Sequence, residues 1–304
     1  MPLSDFLSAV RCLVLDDALA DAPPPARRRE IARRFPQLTP AEADDLSAIS
    51  PARLGVYTDL IFAGQRSQIE WTFPISLALI ARIREHLGDD RPARRADFDL
   101  MREMHRFEPW RSASSRDLAA LFQRFIAGQR PEWTDACPVL TELIDLERTD
   151  LDIFYAEDVD CQPLTDAWLH AIGERSVEQV MAIRFIRPSC TALRFFDHDV
   201  IAIAREFRHD QTLQEAPPQT RICAVGSRSP GTLLAEWNRV TPTGHDALAA
   251  LPPARVHTVN DLASDWLARR TADDDSTGEA ALFAEFFPQF LGWLKSGALL
   301  LAPS

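Results

Sequence analysis

One turn does most to constrain how this chain can fold. Ser229-Pro230-Gly231-Thr232 stands between two strand-like runs, Arg221 to Arg228 and Leu233 to Val240, so a hairpin is expected there. The residues beyond the hairpin read as helix. Thr243 is placed to cap a short helix that stops before Pro252-Pro253, and Asn260 to cap Asp261 to Arg270. Ala280 to Ser296 carries Phe283, Phe286, Phe287, Phe290 and Trp293 as an aromatic stripe, most simply a core face. Ala298 to Ala302 reads as a last short strand closing the sheet. Upstream, Met181 to Phe196 alternates and is rich in Ile, Phe and Thr, which predicts strands on either side of Arg187-Pro188-Ser189. His198 to Phe207 reads as a helix capped by Asp197.

The first half is helical by pattern. Thr39-Pro40-Ala41-Glu42 combines an N-cap, a proline at the first helical position and a capping-box acid. Ser50-Pro51 starts a helix with Leu54, Tyr57, Ile61 and Phe62 at helical spacing, interrupted at Trp71 to Pro74. Ala22 to Ala26, with three consecutive prolines, is a break, and the basic run Arg27 to Arg34 beside it is expected to be a solvated helix face.

The segment from Cys137 to Thr165 is the most acidic. It holds Glu142, Asp145, Glu147, Asp150, Asp152, Glu157, Asp158 and Asp160 against the single Arg148. Leu140, Leu143, Ile144, Leu151, Phe154 and Tyr155 keep a helical apolar face through it. Like charges at this density destabilise an isolated helix, so solvent or a cationic surface has to offset them. A length of 304 residues suits about two domains. The expected fold class is α+β, with residues 1–175 mainly helical and 176–304 mixed.

From Thr220 onward the order of elements outlines a winged helix, a scaffold common among nucleic-acid binders. The charge argues against that use. The unit holds seven basic residues (Arg221, Arg228, Arg239, Arg255, Arg269, Arg270, Lys295) against nine acidic ones, in a chain of net charge -12. Phosphate binding needs a clustered cationic surface. A DNA-binding regulator is therefore the alternative, and the leading expectation is a peptide reader that uses an exposed sheet edge.

No apolar run approaches the roughly 20 residues of a membrane span, and Met1 to Leu15 reads as an amphipathic helix and not as a signal peptide. Five scattered cysteines suggest a reducing, cytoplasmic setting and no zinc site. No histidine lies four residues from another, Ala224-Val225-Gly226-Ser227 lacks the further glycines of a phosphate cradle, and no serine sits in a nucleophile elbow. The chain is not expected to catalyse by itself or to bind a metal.

The order of motifs resembles the partner subunits of multinuclear iron-dependent TIM-barrel oxidases, which modify cysteine in ribosomally made peptides. The residues that carry the resemblance are Leu54-Gly55-Val56-Tyr57 and Phe73-Pro74, the acidic Leu143-Ile144-Asp145-Leu146-Glu147 through Ala156-Glu157-Asp158, Ile186-Arg187-Pro188-Ser189, and the hairpin with its winged-helix-like tail. Its length looks more like the thiaglutamate-type partner than the compact methanobactin-type one. The resemblance implies a noncatalytic subunit that binds a precursor's leader peptide while the barrel subunit holds the iron, with no cofactor in this chain and neither nucleic acid nor membrane as partner. It places peptide binding on the hairpin (Arg221, Ile222, Ala224, Leu234, Glu236, Asn238) and the last helix (Phe286, Phe290). It places partner binding on Asp145, Glu147, Asp152, Glu157 and Asp158.

Overall fold

The computed structural model describes residues 3–89, 91, 93–108, 114–157, 164–172, 174–210, 219–228, 234–270 and 282–303. In chain order the elements are α1 (Leu3–Leu15), α2 (Asp17–Asp21), α3 (Pro24–Arg34), α4 (Pro40–Ser47), α5 (Pro51–Thr72), α6 (Pro74–His86), α7 (Ala93–Phe107), α8 (Ser115–Gln129), α9 (Pro131–Ala136), α10 (Val139–Phe154), α11 (Asp166–Ile172), α12 (Val177–Met181), β1 (Arg184–Ile186), β2 (Ala192–His198), α13 (Val200–Asp210), β3 (Gln219–Arg228), β4 (Ala235–Val240), α14 (Pro242–Ala250), β5 (Val256–Thr258), α15 (Val259–Arg269), a π-helical turn (Leu282–Phe286) running into α16 (Phe287–Lys295), and β6 (Leu300–Leu301). Residues 229–232, where a turn is expected, and Asp158, Asp160 and Cys161 lie outside the described residues, as does the Phe283 side chain. The protein is mixed α and β, mostly helical, with two small antiparallel sheets.

The chain divides into two compact units, residues 1–71 with 90–113 and residues 72–89 with 114–304. This is a different cut from one at residue 175. Helices α6, α8, α9 and α10 belong with the strands, and α10 touches both β2 and β3.

In the first unit the local signals act as their chemistry requires. Thr39 and Glu42 close a reciprocal capping box at the start of α4, Glu42 N–H donating to Thr39 Oγ1 at 3.3 Å and Thr39 N–H to Glu42 Oε2 at 2.8 Å. Pro24 and Pro25 begin α3, where a missing N–H costs nothing. The basic run on α3 corrects the expectation of a solvated face: Arg28, Arg33 and Arg34 are at the surface, but Arg27 is 1% exposed.

The second unit holds both sheets. One has the order β5-β1-β6, the other β2-β3-β4, all antiparallel. The hairpin and the last strand therefore do not share a sheet, as a winged helix requires. Leu300 and Leu301 pair with Ile186 and Phe185 of β1, while the free side of β3 is taken by β2, from Ala192 opposite Gly226 to Phe196 opposite Ile222. The reason is burial: Phe185 and Leu301 sit in a core with Phe286, Phe290, Trp266 and Trp293, where a short apolar strand is covered on both faces. Two caps also differ from expectation. Thr241, ahead of Pro242, caps α14 and Thr258, paired with Asp261, caps α15, in place of Thr243 and Asn260. Gly226 faces Trp237 across the hairpin, and a Cβ there would lie 2.8 Å from the indole, so the glycine makes room for the ring.

Candidate functional site

Helix α10 is the organiser of the second unit, because its acidic residues are met by groups of the unit itself. Glu142 accepts from the backbone N–H of Asp197 at 3.3 Å and of His198 at 3.1 Å, with His198 Nδ1 3.0 Å away. Asp145 accepts from Arg194 Nε at 3.0 Å. Glu147 is 3% exposed and covers the free amides at the start of α6. Asp150 accepts from Trp237 Nε1 at 2.5 Å and from Arg208 Nη2 at 2.7 Å, and burial raises its acid above the ordinary aspartate range against the pull of those two donors. Asp152 pairs with Arg116 at 3.0 Å. The far end of the helix is closed by Arg228, which donates to the carbonyls of Ile153, Phe154 and Ala156.

Among the described residues β4 is the edge strand of its sheet. Trp237 and Arg239 fasten it, the first through Asp150 and the second through an ion pair with Asp199. Among the described residues, no backbone group of Ala235–Val240 bonds to any segment other than β3. An antiparallel edge of this kind leaves alternate N–H and C=O groups facing outward. At the opposite side of the sheet the end of β2 is closed by Glu142. Beside β4 runs a groove of about 250 Å³ between the strand (Ala235, Glu236, Trp237, Asn238) and α13 (Ile201, Ala204, Arg205, Arg208), with Leu146 of α10 also lining it. Arg208 is held by Asp150, whereas Arg205 makes no ion pair among the described residues.

The residues expected to bind peptide are divided by this arrangement. Leu234, Glu236 and Asn238 are exposed at the edge strand, Leu234 at 68%. Arg221, Ile222 and Ala224 are on the central strand β3: Ala224 is paired on both sides, with Arg194 of β2 and Arg239 of β4, whereas β4 ends opposite Cys223 and gives Arg221 and Ile222 no partner. Arg221 is exposed with its guanidinium 5.4 Å from the Phe195 ring, and Ile222 and Ala224 are buried. Phe286 and Phe290 are wholly buried in the core around β1, and neither is among the residues lining the groove beside β4. Of the residues expected to bind a partner, Asp145, Glu147 and Asp152 are engaged within the unit, Glu157 is exposed, and Asp158 lies outside the described residues. The groove wall on α13 is not among the expected residues. Its signal is present in the spacing of Ile201, Ala204, Arg205 and Arg208, but only the tertiary path of the chain brings that face to β4.

His198 faces Glu142, and Asp199 accepts from Ala202 N–H at 3.2 Å and so caps α13, the role expected of Asp197. Among the described residues no group of three or more His, Cys, Asp or Glu side chains is placed to hold a metal ion, and no helix is long and apolar enough to cross a membrane. No protein-family model matches the chain, and no curated protein matches it.

Proposed function

We propose that this chain is a noncatalytic peptide-binding subunit that takes up an extended segment of a ribosomally made precursor as a fourth strand on β4 and presents its cysteine to a separate iron-dependent oxidase. The observation that carries the reading is the open β4 edge beside the α13 groove. Strand addition draws affinity from main-chain hydrogen bonds and selectivity from alternate side chains. One side chain of each pair would enter the groove against Leu146, Ile201 and Ala204, and the cationic Arg205 favours a neighbouring acid in the peptide. The motif order supplies the oxidase half of the proposal, including the iron held by that partner. The likeness to a winged helix lies in the order of elements alone.

Selection of a displayed random-peptide library on the full chain tests the edge. Enriched peptides are expected to alternate apolar residues and to carry an acid. Asn238→Trp, which places a large ring at the exposed strand, is expected to weaken them at least about tenfold, a change of roughly 1.4 kcal/mol. Arg221→Ala, on the central strand, leaves binding unchanged. Equal loss from both variants, or none from Asn238→Trp, contradicts the assignment.

A further inference from the structure

A second recess in the same unit is built for a different ligand. It is an open cleft of about 560 Å³ where the start of β2 meets α8 and the end of α10, a size that suits a small molecule. Three guanidinium groups line it, Arg116, Arg187 and Arg194, against one lining carboxylate, Asp152. Two of the arginines are balanced: Arg116 by Asp152 at 3.0 Å and Arg194 by Asp145 at 3.0 Å. Arg187 is not. Its Nη1 donates to the Leu248 carbonyl at 3.1 Å, its Nε is buried with no partner, and it makes no ion pair among the described residues. Burial works against its charge, which a bound anion would offset. The Ser189 side chain beside it is exposed and makes no hydrogen bond among the described residues.

An unbalanced guanidinium in a cleft lined by two others is an unusual arrangement in a chain of net charge -12. Planar forks of this kind match oxyanions in bidentate geometry. We infer that the cleft binds a small polyanion through Arg187, with Arg116, Arg194 and the Ser189 hydroxyl completing the site, independently of the β4 edge. The shared ligand chemistry is two or more oxyanion groups on one small molecule, whether carboxylates or phosphates.

Calorimetric titrations of the full chain with citrate and, separately, with pyrophosphate at fixed ionic strength test this. One of the two is expected to bind saturably at one site per chain, and the arm that binds assigns carboxylate or phosphate. Arg187→Gln is expected to weaken that binding at least about tenfold, as loss of a charge-assisted contact does. Arg116→Gln, at an exposed position that the core does not need, weakens it as well and decides the matter should Arg187→Gln fold poorly. Arg205→Gln, outside the cleft, leaves it unchanged. Absence of saturable binding in both arms overturns the inference, and so does an Arg116→Gln variant that binds as the wild type does.

Discussion

Arg27→Ala is expected to destabilise the first unit by about 3–5 kcal/mol, a large part of the stability of an ordinary domain. The side chain is 1% exposed, yet it meets no carboxylate among the described residues. It is satisfied entirely by backbone. Nε donates to the Leu19 carbonyl at 3.1 Å, Nη1 to those of Ser47 at 3.1 Å and Ile49 at 2.5 Å, and Nη2 to that of Ala20. These carbonyls belong to the last turns of α2 and α4 and the residues just beyond, where a helix leaves its acceptors unpaired. A cation there also suits the negative end of each helix. Truncation leaves four acceptors without their donor, each worth about 1–3 kcal/mol when buried and unmet. Arg27→Lys loses most of the same stability, because a single ammonium cannot span the fork. Arg33→Ala, at an exposed ion-pair partner of Glu30, leaves stability close to that of the wild type. Hydrogen exchange resolved by segment reads the effect, with faster exchange across α1 to α5 and none across α10. Equal profiles for the Arg27 and Arg33 variants contradict this role of Arg27.

Glu147→Ala is expected to cost the second unit about 3 kcal/mol or more. Pro74 opens α6, and its N-cap residue Phe73 has no side-chain acceptor, so the first free amides depend on a carboxylate from another helix. Glu147 Oε1 accepts from Ile75 N–H at 2.7 Å, and Oε2 accepts from Ser76 N–H at 3.0 Å and Ser76 Oγ at 2.5 Å. Burial is the larger influence on its acidity and pushes it up to about 8, while the Ser76 hydroxyl and the two amides pull the other way. That sets the sign of the pH dependence. The unfolded chain releases this proton near the ordinary value of 4.5, whereas the folded chain keeps it to about 8. Stability from this group is complete below the lower value and is lost as pH rises through the upper one, with a slope of at most about 1.4 kcal/mol per pH unit. Glu147→Gln cannot titrate, so the wild type's advantage over it should shrink across that window and stay level outside it. Parallel denaturation curves for the two proteins across the window contradict the assignment.

How legible this was in sequence differs from element to element. The capping box at Thr39, the proline starts at Pro40 and Pro51, and the strands flanking Arg187-Pro188-Ser189 depend on contacts within a few residues, and they stand where those contacts require. The alternation of exposed Glu236 and Asn238 about buried Trp237 likewise marks β4 as half-buried. Arg27 reads as one more arginine in a basic run, since the carbonyls it serves lie up to 22 residues away. The acidic helix reads as a docking face, since the groups that engage it, Ser76, Arg194, His198, Arg208 and Trp237, are distant in the chain. Which strand of the hairpin is central depends on β2, whose pairing no local pattern reveals. The candidate site is formed by such nonlocal pairings, and for that reason its α13 wall could not be named from sequence.

The most direct measurement is backbone hydrogen exchange across Ala235–Val240 in the full chain, with and without a peptide selected from the displayed library. A peptide bound as an added strand slows exchange at alternate residues of β4, where outward-facing amides gain a carbonyl partner, and leaves β3 as it was. Slowing at β2 or α15, with β4 unchanged in the presence of saturating peptide, would contradict the claim that this edge receives the peptide.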